Sequence, residues 1–94
     1  MLNEKLIKKI GSISKEFKER GFDLEEDLIE LAETHPDIAE RLENTKFKKI
    51  FFFNDEERNS VGITLEDVQI EFVVTTGTDE IGPWYEATAE IRYF

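Results

Sequence analysis

The chain has 94 residues and carries 12 Lys and Arg against 22 Asp and Glu, a formal charge of −10. That charge excludes a general nucleic-acid binder, because phosphate contacts need a basic footprint. The absence of Cys removes disulfides, thiolate metal sites and a Cys nucleophile. A hydrophobic content of 39% with 12% aromatics sets it apart from a disordered acidic tail.

From the N-terminus, Leu2, Leu6, Ile10, Ile13 and Phe17 recur at spacings of three and four, the stripe of an amphipathic helix. Gly11 lies inside the pattern at a cost of about 1 kcal/mol relative to Ala, and leaves a kink open there. Gly21 is suited to the left-handed position after the helix. Phe22 and Phe17 are then spaced for the apolar contact of a Schellman motif. Asp23 reads as the N-cap of a second helix with Glu26 as its capping-box partner, and Leu24, Leu28, Leu31 and Ala32 form its stripe. His35-Pro36 breaks that helix, since a residue before Pro avoids the α region. A third helix, with Pro36 in its first turn and Ile38 and Leu42 inward, should end near Asn44.

From Lys46 the period becomes two. Lys46–Asn54 reads as an aromatic-rich strand, followed by a polar loop over Asp55–Ser60. Val61, Ile63 and Leu65 alternate in one parity, and Val68, Ile70, Phe72 and Val74 in the other. The switch at Glu66-Asp67 implies a bulge, a short turn or two strands. Thr76–Gly82 reads as a hairpin loop. In the last segment Tyr85, Ala87, Ala89, Ile91 and Tyr93 share one face, and Trp84, Glu86, Thr88, Glu90 and Arg92 the other. The fold class expected is α+β: two or three N-terminal helices packed on one face of a three- to four-stranded antiparallel β-meander. A single domain spans 1–94, with 1–45 helical and 46–94 in the sheet.

Charge is unevenly distributed along this plan. Residues 1–20 sum to +3, 21–45 to −8, 46–60 to +1 and 61–94 to −6. The five glycines form no phosphate-binding loop, and no Ser has a base nearby in sequence. His35 is the only histidine, and it reads as a residue at the start of a helix. The carboxylates at Asp23, Glu26, Asp27, Glu30 and Glu33 share a helix face but lack the Glu-x-x-His pattern of a di-metal site, and a solvated acidic face is the expectation. No catalytic residue, metal ligand or cofactor is assigned. The longest apolar run, Ile50–Phe53, is too short to span a membrane, and the basic first helix reads as core rather than as a membrane-surface helix. The N-terminus lacks the apolar centre of a signal peptide, and the expected location is the cytoplasm.

The surfaces expected to bind a partner are the acidic helix, through Glu26, Glu30 and Glu33, and the open side of the sheet, through Phe52, Glu71, Trp84, Glu86 and Glu90. Aromatics supply contact area, and rim charges steer encounter. In size, element order and acid content the chain resembles small phage-encoded inhibitors that imitate DNA, uracil-DNA glycosylase inhibitors among them. The resemblance rests on no shared motif and implies an inhibitor or nucleic-acid mimic. The function expected is therefore a small acidic, non-enzymatic protein-binding module docking on a basic protein, without direct nucleic-acid or membrane binding. The alternative is a self-associating structural or accessory subunit, a homodimer, that uses the aromatic sheet face or an edge strand.

Overall fold

The structure is a computed structural model that describes residues 3–44, 49–56 and 58–94. Three helices precede a four-stranded antiparallel sheet, an α+β arrangement. The chain divides into two compact units, Met1–Lys48 and Lys49–Phe94.

In the first unit, α1 (Glu4–Glu19), α2 (Glu25–Thr34) and α3 (Pro36–Asn44) each pack against the other two. Leu6, Ile10, Ile13 and Phe17 of α1 are buried, as are Leu28, Leu31 and Ala32 of α2 and Ile38 and Leu42 of α3. Leu2 of the predicted stripe lies outside the described residues. Helix α1 runs through the exposed Gly11 without interruption. Its intact hydrogen-bond ladder and buried stripe outweigh the weak propensity cost. Asn3 caps it, its side-chain oxygen accepting from the Leu6 N–H at 2.8 Å while its Nδ2 donates to Glu43 Oε1 at 3.0 Å. That second bond ties the start of α1 to the end of α3.

The C-terminal stop of α1 is the Schellman motif expected. Phe22 N donates to Phe17 O and Gly21 N to Lys18 O, both at 3.0 Å, with Gly21 at φ 90°. The start of α2 departs from expectation. Leu24, not Asp23, holds the N-cap position, and its side chain offers no cap hydrogen bond. Leu24 is only 1% exposed, so burying it sets where the chain enters the helix. Asp23 lies 3.9 Å from Lys18 instead. At the His35-Pro36 break, Pro36 opens α3, and His35 leaves the helical region at φ −130° and ψ 85° with its carbonyl accepting from Ala39 N at 3.0 Å.

The second unit is a meander in the order β1 (Lys49–Asn54), β2 (Asn59–Leu65), β3 (Val68–Thr78) and β4 (Pro83–Tyr93). The predicted strand residues Lys46, Phe47 and Lys48 lie outside the described residues. The parity switch is a two-residue connection at Glu66-Asp67 between separate strands. No non-glycine residue among those described has positive φ, so this turn is not of type I′. Strand β2 begins at Asn59, inside the expected loop. Thr76, Gly77 and Thr78 extend β3, which shortens the hairpin loop to Asp79–Gly82.

Register fixes two faces. One carries Ile50 and Phe52 of β1, then Val61, Ile63 and Leu65, then Val68, Ile70 and Phe72, and on β4 Tyr85, Ala87, Ala89, Ile91 and Tyr93. Val61, Ile63, Leu65, Val68, Ile70 and Phe72 are at most 2% exposed, while Val74 of the same face is half-buried. The other carries Phe51, Phe53, Ser60, Gly62, Glu71 and, on β4, Trp84, Glu86, Glu90 and Arg92. Among the described residues no helix is long and apolar enough to cross a membrane.

Candidate protein-interaction surfaces

Helix α2 has five carboxylates in ten residues and no basic side chain. Glu26, Glu30 and Glu33 are all exposed. Three acids in the first turn suit the positive end of the helix dipole. Asp27 is partly buried among them. Its carboxyl is held above the ordinary value by desolvation, against a lowering backbone hydrogen bond, and the charges of Glu30, Glu26 and Asp23 raise it further. That last contribution is the imprint of a concentrated negative potential on this helix.

The side of the sheet that carries Glu71 and Trp84 differs from the expected aromatic patch ringed by free carboxylates. Glu71 is 7% exposed and fully engaged. Arg58 grips it in a fork, Nε to Oε2 at 3.0 Å and Nη2 to Oε1 at 2.6 Å, and Ser60 Oγ donates to Oε2 at 2.6 Å. The same guanidinium lies 3.5 Å from Glu90 Oε2 and 5.7 Å from the Phe53 ring centre. Glu71 is therefore held inside a polar knot and is not the free rim carboxylate expected. Glu86 and Glu90 are exposed, but Lys49, Arg58 and Arg92 share their face. The acids and bases of this surface balance, whereas those of α2 do not.

The aromatics are also placed by packing. Gly62 lies under the Phe51 ring and Gly77 under the Trp84 indole, so each ring covers a residue that has no side chain of its own. Trp84 stays 42% exposed above Gly77. Phe52 is 52% exposed but lies on the opposite face, with Val61 as its cross-strand partner. Grouping it with Glu71 and Trp84 is corrected by the register: Phe51 and Phe53 stand on that side.

Arg58 and Ser60 are the residues that sequence reasoning missed, having been assigned to a polar loop. An acid flanked by Ile70 and Phe72 was the available signal, because a carboxylate in mid-strand needs a donor on the neighbouring strand. The depression bounded by Lys49, Phe51, Arg58, Glu71 and Arg92 is open to solvent, as is the one beside Trp84 and Tyr85. Among the described residues, no three His, Asp or Glu side chains are grouped to hold a metal ion. No protein-family model, curated protein or solved structure matches the chain.

Proposed function

We propose that the chain is a small acidic binding module of the cytoplasm that docks on a basic protein partner through α2, as an inhibitor or nucleic-acid mimic would. The observation that carries this reading is the placement of charge: Glu26, Glu30 and Glu33 are exposed on a helix with no cation, while Glu71, Glu86 and Glu90 share one face of the sheet with Arg58, Arg92 and Lys49. An uncompensated anionic face attracts a cationic partner over a Debye length and sets its orientation. The open depressions on the sheet support contact with a macromolecule over capture of a small ligand, which favours a concave, mostly buried site.

The test is binding of an arginine-rich helical peptide to the full chain and to two variants of equal charge change. Glu26→Gln/Glu30→Gln should weaken binding several-fold, and Glu86→Gln/Glu90→Gln should leave it nearly unchanged. Affinity should also fall steeply between low and high salt. Equal losses from the two variants, or salt-independent binding, would overturn the assignment to α2.

A further inference from the structure

We infer that β4 is a self-complementary edge that pairs two copies of this chain in an antiparallel, two-fold arrangement. The inference rests on the sheet unit alone and is independent of the reading of α2.

The phase of the β3–β4 ladder gives the first step. Asp79 and Gly82 exchange hydrogen bonds at 3.1 Å in both directions, and Phe94 N donates to Asp67 O at 2.9 Å. Antiparallel strands alternate between bonded and non-bonded pairs. With Asp79↔Gly82 and Asp67↔Phe94 bonded, the pairs between them at Gly77↔Trp84, Thr75↔Glu86, Val73↔Thr88, Glu71↔Glu90 and Gln69↔Arg92 are bonded as well. Pro83, which has no N–H, falls in a non-bonded position, in agreement. The backbone groups of Ala87, Ala89 and Ile91 therefore point away from β3. Among the described residues β4 is the last strand of the order, eleven residues long, and none of its residues is buried. Among the described residues it is nearly twice the length of β1, the other outer strand.

The side chains give the second step. Charges on an edge strand commonly discourage pairing. Here one two-fold register turns them into complementary partners. With Ala89 opposite Ala89 of a second copy, Glu86 faces Arg92 and Arg92 faces Glu86, while Thr88 faces Glu90. On the other face Ala87 meets Ile91 and Tyr85 meets Tyr93, and at the ends Trp84 meets Phe94. This register overlaps Trp84–Phe94 in full, opposes no like charges and presents small residues at its centre. Shifting the axis to Thr88 sets Glu86 against Glu90, and shifting it to Glu90 sets Glu90 against itself. A two-fold axis makes every such contact occur twice, so one matched pair counts double. Tyr85, Trp84, Tyr93 and Phe94 are all exposed in the single chain and supply aromatic area at the rim.

Sedimentation of the full chain tests this, at ~0.15 M salt, where a Debye length of about 8 Å screens the repulsion between two anionic copies. The expected result is a reversible monomer–dimer equilibrium. Glu86→Arg and Arg92→Glu should each weaken the dimer on the order of tenfold, by reversing two cross-edge contacts. The double variant Glu86→Arg/Arg92→Glu should restore it. The two positions lie six residues apart on one strand, about 20 Å, so restoration cannot arise within a single chain. Ala89→Pro removes an outward N–H without touching the β3 ladder and should abolish the dimer while the sheet's circular dichroism is kept. A wild-type chain that stays monomeric at roughly 1 mM, or a double variant no better than the singles, would overturn the proposal.

Discussion

Removing Arg58 isolates Glu71, and the sign of a second substitution then reports what Glu71 experiences. The Glu71 side chain is 9% exposed and accepts three hydrogen bonds, two of them from Arg58. Breaking a fully buried ion pair costs about 3–5 kcal/mol, because one charge stays desolvated without its partner. Arg58 is 46% exposed, so water already competes for the guanidinium and can enter in its absence. That reduces the expected cost of Arg58→Ala to about 2 kcal/mol, a downward shift near 2 M in the urea midpoint for a chain with a slope of roughly 1 kcal/mol per M. In the wild-type background Glu71→Gln keeps an acceptor for Ser60 and loses the charge-assisted bonds, at a cost of about 1 kcal/mol. In the Arg58→Ala background the same change removes a stranded charge, and it should raise stability. Urea unfolding followed by the fluorescence of Trp84, the chain's single Trp, reads all four proteins from a probe on the same sheet. Glu71→Gln lowering stability equally in both backgrounds would refute the idea that Glu71 is a buried charge held by Arg58.

The remaining expectations use the same unfolding assay. A Cβ at Gly62 would sit 2.6 Å from the Ile70 carbonyl oxygen as well as inside the Phe51 ring, so Gly62→Ala forces backbone to move and should cost roughly 2 kcal/mol or more. The atoms nearest a Cβ at Gly77 belong to the Trp84 side chain rather than to backbone. Gly77→Ala should therefore cost less and shift the Trp84 emission as the indole swings outward. Asp27 binds its proton more tightly in the folded state than in the unfolded chain, so it destabilises the fold when charged. Its unfavourable contribution appears as pH rises from the ordinary value of 3.8 through the raised folded value, and is complete above it. Asp27→Asn should thus be more stable than wild type at neutral pH, with the advantage vanishing below pH 3.8. An advantage that persists unchanged into acid would show that charge is not the cause.

The parts of the fold legible in sequence are those governed by local chemistry. The α1 stripe, the Gly21 stop and the Pro36 start each depend on residues within one or two turns, and the structure follows them. The alternation of Val68–Thr75 and of Trp84–Tyr93 assigned those side chains to their faces, because a period of two leaves no other choice once the strand exists. The parts that were hidden depend on neighbours distant in sequence. Phe52 looks the same as Phe51 and Phe53 until the pairing with Val61 decides its side. Glu71 reads as one more surface acid until Ser60 and Arg58 arrive beside it from β2 and the loop before it. Gly77 looks like a loop residue because nothing nearby announces that Trp84 will cover it. The start of α2 was misjudged by one residue, since burial of Leu24 competes with the cap that Asp23 offers.

The central claim is that the anionic face of α2, and not the balanced face of the sheet, meets a basic partner. The most direct measurement is an amide chemical-shift map of the full chain titrated with the arginine-rich peptide at low salt and again at high salt. The account predicts perturbations centred on Glu26, Glu30 and Glu33 that fade as salt is raised. Perturbations centred on Glu86 and Glu90, or shifts spread evenly over both units, would contradict it.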